Sequence, residues 1–349
     1  MAAAQDRQRL LFWILFIGLL TTALASPIVI SPIPQTSLVP RSKFVFKNAT
    51  GVPQVFNPET LQPIPQGPAT DGGGTNFNPA ALMWLAFSFA IGTPMALAGV
   101  RGWRLTTGVG IGLSATVCSW AAFINSVSDT GVPDALLSAI VLGFFFLGFI
   151  LGLFEIGRIA GMAGLGVTGG LAFGIRIIIL REGLLIPWES GFAADWVLIA
   201  FFGLVGAVAM VWQRAQRAGI VFGSASVGTF LVFLGVDLII NRQTGMSRGL
   251  RFLFDRNASH ALDILVRGYT PPLSTQILLG VSLALTPILA YAQHRVFAHS
   301  FSRKPRPDSE LASDAIPTFL EKNHLTKRQA SISRIWDGAK FKGTNRFSL

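Results

Sequence analysis

Gly99-Val100-Arg101-Gly102-Trp103-Arg104 is a short polar stretch between two long apolar segments. Residues 79–100 and 105–124, on either side of it, contain no charged side chain. Each segment is long enough to cross a bilayer, which takes about 20 apolar residues. We therefore predict that this stretch, called the hinge below, is a turn between two membrane helices. The side of the membrane that the hinge faces then fixes the orientation of every later helix.

The composition of the whole chain is typical of a membrane protein. Of its 349 residues, 51% are hydrophobic and only 13% are charged, whereas a soluble domain carries roughly 25% charged residues. The net charge is +11, but 11 of the 28 lysines and arginines follow His294. No zinc-finger, RNP-like or basic-helix pattern accompanies them, so we expect no nucleic-acid binding. We expect instead that the basic tail, residues 294–349, contacts anionic lipids, and a cytoplasmic protein partner is a further candidate.

Seven apolar segments have the length of a membrane-spanning helix. Because they are continuous rather than alternating, they do not fit transmembrane β-strands. We predict an all-α membrane protein, a seven-helix transmembrane bundle formed by residues 79–293. The predicted spans are residues 79–100, 105–124, 135–154, 159–180, 194–212, 218–240 and 273–293.

The first 25 residues predict a secretory signal peptide. Arg7 and Arg9 precede an apolar core that is too short to span a bilayer, and Ala23-Leu24-Ala25 fits the small-x-small cleavage rule. An uncleaved signal anchor is the alternative. A cleaved signal places the new N-terminus outside the cytoplasm, as in an integral membrane protein of the secretory pathway or plasma membrane.

The distribution of charge supports the same orientation. With the N-terminus outside, the hinge, the turns 155–158 and 213–217, and the tail are cytoplasmic. The loops 125–134 and 181–193 on the opposite side hold one arginine and four acids. This asymmetry follows the positive-inside rule. The cytoplasmic turns carry Arg101, Arg104, Arg158, Arg214 and Arg217.

The hinge has a plain topological role in this scheme. Gly99 and Gly102 allow a tight reversal of the chain. Arg101 and Arg104 hold the turn in the cytoplasm, and Trp103 lies at the level of the lipid headgroups. Whether the hinge also binds a partner is left open by its residues.

Residues 26–78 differ from the rest of the chain. They are rich in proline, contain Gly72-Gly73-Gly74 and show little apolar periodicity. Such a segment cannot bury enough surface to offset the entropy cost of ordering it, so we predict a disordered extracytoplasmic arm. Asn48-Ala49-Thr50 is a sequon within it, and we predict glycosylation at Asn48.

Glycines spaced four residues apart mark one face of the third span and one face of the fourth. Helices in lipid associate by close approach of their backbones, so we expect these faces to be packing seams. Packing within the chain is the preferred interpretation, and a dimer interface is the alternative. The residues are Gly148, Gly152, Gly166, Gly170 and Gly174.

Charged side chains inside a membrane span are candidate functional residues. We single out Arg176 and Asp237, which lie near the ends of the fourth and sixth spans and so at similar depth near the extracytoplasmic face. We predict that they pair if the two helices are neighbours. The alternative is that Arg176 extends to the membrane surface while Asp237 faces water.

The long loop between the sixth and seventh spans predicts an amphipathic helix. Apolar residues from Leu250 to Val266 recur on one helical face. We expect a helix over about residues 247–267 that lies in the membrane interface or caps the bundle.

No motif of a catalytic, cofactor-binding or metal site is present in the sequence. The histidines lack metal-ligand spacing, and no nucleophile elbow, HExxH or P-loop pattern occurs. We therefore expect a non-enzymatic protein without cofactor, acting as a scaffold or sensor. The alternative is a channel or transporter that uses Arg176 and Asp237.

The hinge also carries a family resemblance. Gly99-x-Arg101-x-Trp103-Arg104, followed by a glycine-rich second span, resembles the pattern of the seven-span domain shared by transmembrane protein 198 and the transmembrane 7 superfamily member 3 proteins. The resemblance covers about residues 80–293 and includes fungal relatives. It implies seven spans, an outside N-terminus, a cytoplasmic tail and scaffold or signalling roles, and it brings no catalytic residues.

Overall fold

In a computed structural model, the chain forms a bundle of seven long helices. The structure describes residues 45–47, 53–57, 60–67, 71–74, 76–127, 131–155, 157–186 and 192–297. The predicted signal peptide, Asn48 and nearly all of the predicted tail lie outside these residues. The long helices are α1 (Pro79–Ala98), α2 (Trp103–Ser126), α3 (Asp134–Leu153), α4 (Arg158–Ile178), α5 (Phe192–Val211), α6 (Gln213–Asn241) and α9 (Leu273–Val296).

All seven long helices are long and apolar enough to cross a membrane. Their order confirms the predicted seven-helix architecture, although one turn differs from the prediction. The predicted turn 213–217 is the first turn of α6, and Trp212 alone separates α5 from α6. Gln and Arg are good helix formers, so the polar character of this segment does not interrupt the helix.

Two of the helices form the centre of the bundle. α4 and α6 are the most buried, whereas α5 and α9 are the least buried. α4 packs against α2, α5 and α6, and α6 also packs against α1 and α9. The hinge connects α1 to α2 at one end of the bundle, called the hinge end below. The opposite end, where residues 246–267 lie, is called the cap end.

The glycine faces predicted from the sequence lie between helices of the same chain. A Cβ added at Gly152 of α3 would lie 2.6 Å from the Gly108 Cα of α2. One added at Gly166 of α4 would lie 2.6 Å from the Gly206 carbonyl oxygen of α5. Any side chain at these positions would force the helices apart, so the backbones approach closely because both sides lack side chains. Gly148 likewise faces α2, and Gly170 and Gly174 face α5.

The described part of the N-terminal arm is structured, so the prediction of a disordered arm is wrong there. Strands β1 (Val45–Lys47) and β2 (Pro53–Val55) pair antiparallel, with Val45 opposite Val55. The arm is then fixed to the cap end of the bundle by residues 71–73. The Trp120 indole donates to the Asp71 carbonyl at 2.7 Å, and the Trp84 indole donates to the Gly72 carbonyl at 3.0 Å. These bonds satisfy backbone groups that a segment poor in apolar residues cannot bury by itself.

The loop between α6 and α9 does not form the single predicted helix over 247–267. It contains α7 (Met246–Phe254), a 3₁₀ turn (Ala258–His260) and α8 (Ala261–Arg267). The break has a local cause, because the Asn257 Oδ1 accepts from the Ser259 backbone N–H at 3.0 Å and offers the backbone an alternative to the helix.

The apolar face of α7 packs on the helix bundle. Met246 and Leu253 are fully buried, in a cluster with Ile175, Ile199 and Leu279 of the long helices. Residues 246–267 are called the cap below.

Candidate functional site

Arg176 of α4 is completely buried at the centre of the bundle. Its guanidinium group donates to hydroxyl groups on two neighbouring helices, α6 and α9. Nη1 lies 3.0 Å from the Thr229 hydroxyl and 3.0 Å from the Thr286 hydroxyl. Nη2 lies 2.8 Å from the Ser226 hydroxyl, and Nη1 also contacts the Ser282 carbonyl at 3.1 Å. These four hydroxyl residues and Arg176 are called the arginine cluster below.

The guanidinium lies deeper in the bundle than the sequence position of Arg176 indicates. Side chains on a helix lean toward its N-terminus, and arginine is long. Arg176 therefore reaches from the cap end of α4 toward Ser226 near the middle of the 29-residue α6, and toward Thr286 near the middle of the 24-residue α9. The charge lies at mid-depth, and the expectation that it lies near one membrane face is wrong.

Each hydroxyl also has a backbone carbonyl within hydrogen-bond distance, so it can donate to that carbonyl while a lone pair accepts from the arginine. Ser226 donates to the Gly169 carbonyl at 2.6 Å, and Thr229 donates to the Ala225 carbonyl at 2.8 Å. Ser282 and Thr286 donate to carbonyls one turn earlier in α9, at 2.8 and 2.9 Å. The third guanidinium nitrogen, Nε, donates to the Ala172 carbonyl at 2.9 Å. Each nitrogen of the cation thus has an acceptor, and each hydroxyl has both a donor and an acceptor role.

The predicted pair between Arg176 and Asp237 is wrong. Within the described residues, the guanidinium has neutral partners and no carboxylate forms an ion pair with it. The two side chains separate because Arg176 points toward the hinge end, whereas Asp237 remains near the cap end of α6. The alternative, in which Arg176 extends to the membrane surface and Asp237 faces water, is also wrong, since each side chain is 0% exposed.

Asp237 joins the bundle to the cap. Its Oδ1 accepts from the Thr275 hydroxyl of α9 at 2.6 Å and from the Asn241 amide at 2.8 Å. Its Oδ2 accepts from the Met246 backbone N–H at 2.5 Å, at the first residue of α7. An acidic group at a helix N-terminus satisfies an otherwise unpaired backbone donor and interacts favourably with the helix dipole. Asp237 is therefore the residue that starts α7 and holds it on α6.

A row of polar residues attaches α9 to the other helices. Thr275 binds Asp237 at the cap end, and Ser282 and Thr286 bind Arg176 in the middle. Gln293 lies at the hinge end, where its amide nitrogen donates to the Ala96 carbonyl at 2.7 Å and its oxygen accepts from the Val100 N–H at 3.3 Å. All four side chains are buried. Sequence reasoning missed this row, although its near-heptad spacing on one face of an apolar helix is a detectable signal.

Further contacts, with α2 and α6, hold the hinge in place. Its Gly99 carbonyl accepts from the Thr106 hydroxyl, and Gly99 packs against Ser224 of α6 with no room for a side chain. Arg101 and Arg104 are exposed at the end of the bundle. Trp103 is the first residue of α2.

The cap contains a network of ion pairs and hydrogen bonds, partly buried, that the sequence analysis did not identify. Asp255 and His260 side chains are both 0% exposed, and the Asp255 Oδ2 lies 2.9 Å from the His260 Nδ1. The same oxygen lies 3.3 Å from the Arg251 Nε. Arg251 and Arg248 both contact the Asp263 carboxylate, at 3.2 and 2.6 Å. The contacts of Arg248 and Arg251 of α7 with Asp263 of α8 hold the two short helices together.

Asp71 and Tyr269 lie next to the cap, and the pKa of each is raised. Burial raises the pKa of the Asp71 carboxyl above its ordinary value, against an opposing effect of the nearby Arg251. Burial also raises the pKa of the Tyr269 hydroxyl, which donates to the Ile179 carbonyl at 2.7 Å. Both groups therefore favour their neutral forms.

Another buried acid, Asp195 in the first turn of α5, lay inside a predicted span and was not singled out. Its Oδ1 accepts from the Ile186 N–H at 3.3 Å. Among the described residues, no group of three or more His, Cys, Asp or Glu side chains is arranged to hold a metal ion. The polar chemistry of the described bundle is thus hydrogen bonding between helices and at the cap.

The comparison with protein families identifies the domain. The sequence model of the TM7S3/TM198-like domain matches residues 85–294, which is more than half of the chain. The chain belongs to the TM7S3/TM198-like domain family. The match confirms the family resemblance found at the hinge, and it runs through the cap to His294 in the last turn of α9. In this TM7S3/TM198-like domain, the arginine cluster, Asp237 and the cap all lie inside the matched residues. Neither a curated protein nor a solved structure matches the chain.

Proposed function

We propose that this TM7S3/TM198-like protein is a non-enzymatic membrane scaffold or sensor, in which a rigid seven-helix bundle carries the cap on one side and the tail on the other. The observation that supports this proposal is the saturation of the arginine cluster. A site that binds and releases a solute needs donors or acceptors that are available to it. Each nitrogen of the Arg176 guanidinium already has a protein acceptor, so the cluster is better suited to holding α4, α6 and α9 together.

The cap supports the same proposal. It is fixed to α6 through Asp237 and to the end of α2 through Asn257, whose amide donates to the Ile124 carbonyl at 3.2 Å. The arm also contacts it, since the Gln66 side chain accepts from the Leu262 N–H at 2.9 Å. A partner that binds the arm or the cap would therefore act on helix ends of the bundle.

For orientation, we propose that the cap end is extracytoplasmic and the hinge end cytoplasmic. The excess of arginine at the hinge end supports this assignment through the positive-inside rule. The described residues contain seven spans, an odd number, so we propose that the arm and the tail lie on opposite sides. We further propose residence in the secretory pathway or plasma membrane, on the basis of the N-terminal signal sequence.

Transport is the second candidate, because a charge at mid-depth in a membrane bundle is characteristic of ion and proton pathways. A flux assay on the full chain in proteoliposomes separates the two. We expect no uptake of Na⁺, K⁺ or Cl⁻ above that of empty vesicles. Uptake that is abolished by Arg176→Gln but not by Arg181→Gln would replace the scaffold proposal with transport.

The scaffold proposal has its own test. Proximity labelling from the tail and from the arm, in the same cells, should give two reproducible and different sets of protein neighbours. A variant that loses the cap attachment, Asp237→Ala, should lose neighbours from the arm-side set. If neither position gives neighbours beyond those of an unrelated membrane protein in the same compartment, the scaffold proposal is wrong.

A further inference from the structure

Five arginines whose side chains the structure describes surround the hinge end of the bundle. Glu155 is the one acidic residue at this end within the described part of the chain. Three of the arginines are exposed, so their charges face the surroundings of the bundle, and the other two are half-buried. The hinge-end arginines are Arg101, Arg104, Arg158, Arg217 and Arg295.

Helix packing brings these arginines together from distant parts of the sequence. The Thr107 hydroxyl of α2 donates to the Gly152 carbonyl at 2.9 Å, and a Cβ added at Gly161 of α4 would lie 2.6 Å from the Thr107 Cβ. Arg104 and Arg158 each precede these contacting residues by about one helical turn, so they lie on neighbouring helices at one level.

A second contact positions another two of the hinge-end arginines. Gln293 of α9 accepts from the Val100 backbone N–H at 3.3 Å and donates to the Met95 carbonyl at 3.1 Å. Arg101 follows Val100 directly, and Arg295 follows Gln293 by two residues. The two arginines therefore flank the place where α9 meets the hinge.

Exposed aromatic side chains mark the depth of this surface. Trp212 and Tyr291 are each 65% exposed, and Phe154 is 59% exposed, all at the hinge ends of their helices. Aromatic residues of this kind occur at the boundary between the hydrocarbon core and the headgroups. The hinge-end arginines lie at the same helix ends, so their guanidinium groups are at the level of lipid phosphates.

The cap end has a different charge pattern. Two arginines of the cap contact acids, Arg248 with Asp263 and Arg251 with Asp255. An excess of positive charge is thus a property of the hinge end, and it is complementary to an anionic membrane surface.

We propose that the hinge end binds acidic phospholipid headgroups, with Arg101, Arg104 and Arg158 contacting the phosphate oxygens. The planar guanidinium group matches phosphate geometry and donates two parallel hydrogen bonds to it. The fixed hinge places Arg101 without a large entropy cost on binding, because its turn is held by Gln293 and Thr106. This surface belongs to the bundle and is separate from the basic tail.

Retention of lipid by the full chain tests the proposal. The protein is reconstituted in phosphatidylcholine vesicles that contain a minority of phosphatidylserine, extracted in mild detergent, and its bound lipids are counted by native mass spectrometry. The test variant is Arg101→Gln/Arg104→Gln/Arg158→Gln. The matched control, Arg181→Gln/Arg242→Gln/Arg256→Gln, removes three arginines from the cap end and leaves the tail unchanged.

We expect the wild type and the control to retain phosphatidylserine in preference to phosphatidylcholine. The test variant should bind phosphatidylserine about a hundredfold more weakly, since each basic residue near an anionic surface contributes roughly fivefold. The corresponding triple lysine variant keeps the charge and should retain most of the preference, which excludes misfolding as the cause of a loss. Unchanged retention in the test variant, or an equal loss in the control, would overturn the proposal.

Discussion

The Thr229 hydroxyl of α6 and the Thr286 hydroxyl of α9 lie 2.8 Å apart and both contact the Arg176 guanidinium. This contact joins three helices that are far apart in the sequence. Hydrogen bonds to a charged group contribute about 1.5–3 kcal/mol each, and a buried cation that loses its partners is costly. The arginine cluster should therefore be the main polar determinant of stability in the bundle.

The first prediction concerns the loss of this cation. Arg176→Gln should lower the free energy of unfolding by at least ~2 kcal/mol, because a shorter neutral amide cannot replace the fork of five donors. Thermal unfolding in detergent, followed by tryptophan fluorescence, measures the effect. Arg181→Gln is the matched control. Arg181 is exposed, so the free energy of unfolding of this variant should be within ~0.5 kcal/mol of that of wild type. Equal unfolding temperatures for the two variants would contradict the assigned role.

The second prediction follows from the separation of Arg176 and Asp237. A charge swap, Arg176→Asp with Asp237→Arg, should not restore the stability or expression that each single change removes. Their coupling in a double-mutant cycle should be within ~0.5 kcal/mol of zero, as for residues without shared partners. Rescue by the double swap would mean that the two side chains interact directly.

The third prediction compares two glycines of α3. Gly152→Ala should destabilise the bundle by about 1–3 kcal/mol, because the new Cβ would lie 2.6 Å from the Gly108 Cα. Gly143→Ala adds the same methyl group where no atom lies within 4 Å. It should be neutral or stabilising by up to ~1 kcal/mol, through helix propensity. Unfolding temperatures in the same detergent test the pair, and similar losses at both sites would argue against close packing of α2 on α3.

The fourth prediction concerns Gln293, which attaches α9 at the hinge end. Gln293→Leu keeps the side-chain volume but leaves the Val100 N–H without its acceptor, so a loss of about 1–3 kcal/mol is expected. Exposed His294 is the next residue, and His294→Leu should have little effect. Protease accessibility of the hinge should also rise in the Gln293 variant alone. An unchanged cleavage rate would show that other contacts hold the hinge.

The fifth prediction is a pH dependence set by Asp71. Its pKa in the folded state lies above the ordinary 3.8, so the folded protein binds the proton more tightly than the unfolded chain. The stability that Asp71 contributes is thus full below that ordinary value and is lost as the pH rises through the raised pKa. Asp71→Asn should therefore be more stable than wild type at neutral pH and should show a flatter dependence of unfolding temperature on pH. Glu182→Gln, at an exposed site, should keep the wild-type slope.

The sequence was sufficient for the architecture because a membrane span is defined by length and apolar composition, which are local properties. The hinge and the seven spans could therefore be predicted within a few residues. The break in the cap could not, because it depends on the side chain of Asn257 bonding to its own backbone and to the end of α2. The spacing of apolar residues alone does not predict such hydrogen bonds.

The partners of Arg176 were also beyond sequence reasoning. The position of a residue in a helix does not give the depth of its charge, because a long side chain that leans toward the helix N-terminus carries the charge away from its Cα. The identity of the acceptors further depends on the register between α4, α6 and α9, which no local pattern fixes. The prediction did not include Asp195, because its charge lies in the first turn of a span that is otherwise apolar.

The position of the arginine cluster along the chain also has a consequence for biosynthesis. The acceptors on α9 are separated from Arg176 by 106 and 110 residues, so they leave the ribosome long after α4. Arg176 lies two residues before the end of α4, so its cost during translocon insertion is below the about 2.5–3.5 kcal/mol of an arginine at the centre of a lone helix, but its acceptors on α9 are still missing at that stage. We therefore expect α4 to integrate incompletely in nascent chains that end before residue 273 and to integrate fully once α9 is present, which a truncation series with glycosylation reporters would measure.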